Sequence, residues 1–169
     1  MGKNYDFIIV GQGITGSVLS WRLIEKNFNF LVINNSNKKS SSKSALGLYN
    51  PITGKNFVET WNSNEIINET ENFYTSIEKK LNEKFLYKKN IYRPFSSKKD
   101  SNNWELKMES KTYKKYIQKL DYKSKYNFLK DNLGGVITNK SGYLDVKKFL
   151  LLTRKYLKSR KIYVEKNIK

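Results

Sequence analysis

Glycines at 11, 13 and 16, within YDFIIVGQGITGSVLSWRL (residues 5–23), have the spacing G-x-G-x-x-G, and the chemistry that spacing serves is the holding of a pyrophosphate. The first glycine allows a tight turn out of a strand, the second lets phosphate come close to backbone, and the third lets helix and strand pack closely. Phosphate oxygens then meet the exposed N–H groups and the positive end of the following helix. Gln12 and Ile14 are neutral and leave that role to the backbone. The end of the next strand is where such sites keep an Asp or Glu for ribose hydroxyls. Here it is Asn34. Its amide oxygen accepts from a hydroxyl without the charge-assisted part of the bond, so weaker dinucleotide binding is expected. Nearby Lys38, Lys39 and Lys43 keep open a 2′-phosphate, and with it NADP.

Little else in the chain is reactive by type. With no cysteine and no histidine there is no disulfide, no thiolate nucleophile and none of the usual zinc sites, so no metal centre is expected. No residue stands out as a catalytic base, because the carboxylates fall on apparent solvent faces. Arg93, in IYRPF, reads either as a clamp for a substrate carboxylate or as an exposed strand charge. The run KTYKKYIQKLDYKSKYNFLK (111–130) interleaves lysine with tyrosine as single-strand nucleic-acid binders do, but its tyrosines also suit the buried face of a helix, the preferred reading. The net charge of +18 attracts phosphates in general. Arginine, whose fork suits bases and phosphates, stands only at 22, 93, 154 and 160. The rest is lysine, in doublets such as Lys79-Lys80 and Lys147-Lys148, which AT-rich coding explains more simply than a nucleic-acid surface.

The elements that must position the glycine turn are legible on both sides of it. Residues 5–10 suit a buried parallel strand, Thr15 to Lys26 an amphipathic helix ending at a left-handed Asn27, and Phe30 to Ile33 a second strand: a βαβ unit. Residues 34–44 read as a polar loop and 45–62 as an ordered irregular one. A helix is expected over 62–85, with Ile66, Thr70, Phe73, Tyr74, Ile77 and Leu81 inward, and strands within 85–95. Residues 97–120 read as helical around Trp104, Leu106 and Met108, and then Tyr113, Ile117 and Leu120. Two short strands flank a turn at 139–142. Asp145 then caps a helix over 146–158, inward through Phe149, Leu150, Leu152, Thr153 and Tyr156, and a last strand follows.

Beyond the glycine pattern, SSSKSALGLYNPITGKNFVETWN (40–62) resembles the Ser-rich, Ala-Gly-containing loop that FAD-dependent oxidoreductases of the D-amino-acid oxidase and glycine oxidase type place after their second strand. The form GLYNPITG followed by an aromatic and TW is similar to a bacterial branch of FAD-dependent oxidoreductases, and to the flavin domain of a bifunctional transfer-RNA wobble-uridine modifying enzyme. SGYLDVKKFLLLTRKYLKSRKIYVEKNI (141–168) resembles the helix that leads into the third strand of the same sheet.

The resemblance implies a Rossmann-like α/β fold with a parallel sheet, formed by 1–48 and 143–169 and interrupted by an α+β substrate-domain insertion at 49–142. It implies non-covalent FAD, since the His and Cys of covalent linkage are absent. Gly11, Gly13 and Gly16, with the backbone of Ile14 and Thr15, would hold the pyrophosphate. Asn34 would stand at the ribose, Ser42 and Lys43 near the phosphates or the adenine-side ribose, and Ala45, Leu46, Gly47 and Leu48 beside the flavin ring. The implied reaction is oxidation of a carbon–nitrogen bond of an amine or amino acid. The family carries roughly as much protein again after its third strand, so a truncated amino-terminal portion, active or decayed, is expected. A basic RNA-associated flavoprotein module of a transfer-RNA modifying system is the other reading. The start MGKNYDFIIV carries Asp6 inside its short apolar run and passes directly into a strand, unlike a signal peptide, and no run reaches membrane-spanning length. A cytoplasmic location follows as the expectation.

Overall fold

The computed structural model describes residues 4–35, 41–54, 56–124 and 126–167, without the side chain of Lys43. In chain order the elements are β1 (Phe7–Val10), α1 (Ile14–Glu25), β2 (Phe30–Asn34), α2 (Ser41–Ser44), β3 (Leu48–Tyr49), β4 (Ile52–Thr53), β5 (Val58–Glu59), α3 (Ser63–Leu81), β6 (Leu86–Lys88), β7 (Ile91–Pro94), α4 (Lys98–Glu109), α5 (Lys111–Lys114), β8 (Ile117–Asp121), β9 (Gly135–Thr138), β10 (Gly142–Leu144), α6 (Val146–Ser159) and β11 (Tyr163–Glu165). They divide into two compact units, Met1–Gly47 with Leu144–Lys169, and Leu48–Tyr143.

The first unit is a three-stranded parallel sheet in the order β1-β2-β11 with two helical connections. Both helices end in the same way. Asn27 and Lys161 take left-handed backbone at φ 57° and 55°. Each following N–H then reaches back five residues, Phe28 to Leu23 and Ile162 to Leu157, which turns the chain sharply into the next strand. The Asp145 carboxylate accepts the Lys148 N–H at 2.9 Å and starts α6. Ile9, Leu23, Phe30, Val32 and Leu157 form the core between helices and sheet. The inward face of α6 runs through Val146, Phe149, Leu150, Thr153 and Leu157, with Leu152 and Tyr156 half-buried at its margin.

One strand departs from expectation. β1 is not buried: only Ile9 is covered, while Ile8 is 60% and Val10 68% exposed. The physical reason is its place at the sheet edge, paired with β2 alone among the described residues and covered by helices on one face only. Residues 41–44, expected as loop, form the helical turn α2.

The second unit is antiparallel, with sheets β3-β10-β6, β4-β5 and β7-β9-β8. Ile52, Phe57, Phe95, Trp104, Tyr116, Ile117 and Val136 form one of its cores. In α3 the buried stripe passes through Ile67 and not Ile66, in phase with Phe73, Tyr74 and Ile77. The helix expected over 97–120 stops early. Ser110 has extended backbone after α4, and Ile117 and Leu120 lie on β8, where β9 supplies a hydrogen-bonding edge that a third helical turn would lack. For the same reason the tyrosines of 111–130 do not share a helical face: Tyr116 is fully buried, while Tyr122 and Phe128 are exposed. The strands at 135–144 flank a left-handed Lys140, yet pair elsewhere, β9 between β7 and β8, and β10 between β3 and β6.

Within this unit Glu78 closes the turn after α3. Its carboxylate accepts the N–H groups of Phe85 (2.7 Å) and Leu86 (2.6 Å) and Lys84 Nζ at 2.8 Å. Burial pushes the carboxyl pKa up, but the Lys84, Leu86 and Phe85 hydrogen bonds outweigh it and hold it below the ordinary glutamate value. A pKa depressed on folding stabilises above the unfolded value and loses that contribution as pH falls through the folded one. Unfolding free energies from urea titration of wild type and Glu78→Gln should therefore differ at neutral pH by about 1–3 kcal/mol and converge as pH falls through the depressed Glu78 pKa. In the first unit, Leu157→Ala empties a fully buried site and should cost about 2–5 kcal/mol in the same measurement.

Candidate functional site

The turn between β1 and α1 is fixed by its glycines. Gly11 has φ +97°, a conformation that strains any residue with a Cβ. A Cβ at Gly16 would lie 2.0 Å from the Gly11 carbonyl oxygen and 3.3 Å from Ile9 Cγ2, so helix and strand touch there only because the side chain is a hydrogen. Gly13 caps α1 with no side chain of its own, and a Cβ on it would point at Ser42 Oγ, 3.0 Å away. The first-turn N–H groups of α1 have no carbonyl one turn back to bond. One of them, that of Ile14, donates to Ser42 Oγ at 3.1 Å. The α2 turn thus brings a hydroxyl to the helix N-terminus, and the gap between them is kept by the missing side chain of Gly13.

The turn is tied to β2 through Asn34. The Gly11 N–H donates to the Ile33 carbonyl at 2.8 Å, and the Gln12 N–H to Asn34 Oδ1 at 2.8 Å. Asn34 Nδ2 donates to the Tyr163 hydroxyl at 3.0 Å. The amide oxygen is therefore not held for a ribose alone, as the sequence suggests. It already accepts a main-chain N–H and offers a hydroxyl its second lone pair.

The turn is tied to α6 through Gln12. This side chain is 3% exposed. Its Nε2 donates to Ser17 Oγ and to the Leu150 carbonyl, both at 2.9 Å, and its Oε1 accepts from Arg154 Nε at 3.0 Å. Trp21 Nε1 adds a bond to Thr153 Oγ1 at 2.9 Å, one turn further along both helices. Neither the Gln12 bridge to α6 nor the Asn34–Tyr163 bond stands out in the sequence, because Leu150 and Arg154 lie more than a hundred positions from Gln12, and Tyr163 more than a hundred from Asn34.

An open cleft of about 500 Å³ runs along β1 and the turn, lined by Ile8, Val10, Gly11, Gly13, Thr15 and Ser42 among others. Of the residues expected at the site, Gly11, Gly13, Ile14, Thr15, Gly16, Asn34 and Ser42 are gathered at the turn. Lys38 and Lys39, and the side chain of Lys43, lie outside the described residues. Ala45 and Leu46 are exposed on the segment after α2, and Gly47, at φ +71°, packs its Cα against the Leu144 carbonyl. Leu48 and Arg93 belong to the second unit. The Arg93 guanidinium lies 3.9 Å from the centroid of the Phe57 ring, stacked as a cation on an aromatic face.

Among the described residues three carboxylates are buried, contrary to their solvent-facing reading. Glu78 holds its turn, Asp100 Oδ2 accepts from Ser96 N and Oγ, and Asp131 accepts from the Tyr92 hydroxyl, Ser124 Oγ and the Tyr126 N–H. These bonds stabilise loops.

No protein-family model matches the chain. Among solved structures it is similar to the open form of NikD, an unusual amino acid oxidase essential for nikkomycin biosynthesis, with a TM-score of 0.64 and 13% identity over 98% of this chain and 43% of that one. Glycine oxidase from Geobacillus kaustophilus gives a TM-score of 0.68 at 12% identity over 96% and 46%. L-amino acid deaminase from Proteus vulgaris gives 0.64 at 12% identity over 98% and 40%. These likenesses establish a shared fold. The chain spans less than half the length of the structures it matches. Among the described residues no helix is long and apolar enough to cross a membrane.

Gly16→Ala tests the turn directly. Forcing α1 from β1 should cost about 1–3 kcal/mol in urea unfolding and weaken the binding of ADP, measured by calorimetry.

Proposed function

We propose that this chain forms the nucleotide-binding part of an FAD-dependent oxidoreductase acting on a carbon–nitrogen bond of an amine or amino acid. The observation that carries the reading is the cradle at the turn: an N-terminal helix end and a serine hydroxyl facing each other across a glycine whose Cβ would narrow the gap. That donor set suits the pyrophosphate of a dinucleotide such as FAD. Likeness in fold to a glycine oxidase, an amino acid oxidase and an L-amino acid deaminase supports the class of substrate.

In this reading the Thr15 N–H and the Ser42 hydroxyl bind phosphate oxygens, joined by the Ile14 N–H once phosphate displaces Ser42 Oγ from it, with Gly11, Gly13 and Gly16 allowing the approach. Asn34 meets the ribose, and Ala45, Leu46 and Gly47 stand on the flavin side of the site. When bound, FAD supplies the two-electron acceptor for the oxidation.

Purified protein mixed with FAD and desalted should retain flavin absorption near 375 and 450 nm. A folded protein that leaves desalting without flavin and, titrated with FAD, changes neither flavin absorbance nor flavin fluorescence would overturn the reading.

A further inference from the structure

Asn34 and Tyr163 stand on neighbouring parallel strands, β2 and β11. With Oδ1 on the Gln12 N–H and Nδ2 on the Tyr163 hydroxyl, the Asn34 amide is fixed at both ends. Turning it over would set an amide N–H against the Gln12 N–H, donor against donor. An aspartate would face no such choice, since both its oxygens accept. The phenol is not demanded by the sheet, where the register partner of Tyr163 is Val32 and any β-forming residue would serve. Its ring is held from the helix side as well, 5.3 Å from Lys158 Nζ, and that ammonium lies 3.4 Å from the Glu165 carboxylate.

We infer that Tyr163 is a positioning residue for the ribose end of the nucleotide site, acting through Asn34. It holds the amide so that ribose hydroxyls meet an uncharged amide–phenol pair where a carboxylate would otherwise stand. The inference rests on the dinucleotide reading above and goes beyond it, assigning a residue that neither the glycine pattern nor the position of Asn34 points to.

Calorimetric titration with ADP and with 2′-deoxy-ADP tests it. Wild type is expected to prefer ADP by about three- to tenfold, the range of one hydrogen bond, and Tyr163→Phe to bring that ratio close to one. A purely structural role would weaken both ligands together and leave the ratio alone. Asn34→Asp accepts the Gln12 N–H and a ribose hydroxyl unaided, so it should keep the preference with or without Tyr163→Phe, a non-additive cycle. Should Tyr163→Phe fail to fold, Asn34→Ala removes the group through which Tyr163 acts, and the preference must vanish there too. Wild type that binds FAD but shows no preference, or a preference that survives Tyr163→Phe or the substituted Asn34→Ala, overturns the inference alone. Wild type that binds neither FAD nor ADP overturns both the inference and the dinucleotide reading.

Discussion

Gln12 uses its main-chain N–H and both polar atoms of its side chain to hold the glycine turn in place. Its main-chain N–H is fixed by Asn34 on β2, and its buried amide bridges Ser17 on α1 to the Leu150 carbonyl and Arg154 on α6. The two sides of that bridge are 138 residues apart in the Leu150 bond. A buried amide left without partners costs roughly 1–3 kcal/mol, so the bridge forms only when both helices are seated. The turn is thereby made conditional on the whole first unit. Closing so long a loop is less costly than its length suggests, because the entropy grows only with the logarithm of the number of residues.

In the proposed reading the same arrangement explains how a neutral turn would serve an anionic ligand. Gln12 carries no charge and points inward, away from the helix end, so the first-turn amides of α1 keep their positive end outward. Ser42 takes up one of them without bringing charge. The lysine-rich surface, with a net charge of +18, adds a long-range attraction that is not specific to any phosphate. Specificity must come from the short-range donors, which is why Gly13, Ser42 and Asn34 matter more than any lysine. The uncovered strand beside them is a different kind of feature. Ile8 and Val10 place apolar surface on one face of an open strand, in contrast to the polar donors of the turn.

How far the sequence discloses this depends on the range of the interactions. The βαβ unit around the glycines, the Asn27 terminus, the Asp145 cap and the last strand are legible because each is written in residues within one turn or one strand of each other. So is the glycine turn itself. Exposure of β1 is not, since a run such as FIIV reads the same at an edge as at a centre. The phase of α3 was ambiguous by one residue, because Ile66 and Ile67 are both apolar and only the packing selects Ile67. Residues 117–121 resemble a continuing helix until β9, contributed from residues 135–138, offers an edge. Gln12, Tyr163 and the buried Asp131 leave no local trace, because hydrogen-bond pairing across the fold has no period.

The central claim is that the helix end at Gly13–Gly16 is an anion-binding cradle for a dinucleotide. Amide chemical-shift mapping during titration with ADP addresses it most directly. The account predicts the largest shifts at Gly13, Ile14, Thr15 and Gly16, with a second set at Asn34 and Gln12. Saturable binding with shifts confined to residues 48–143, and none at the turn, would contradict it.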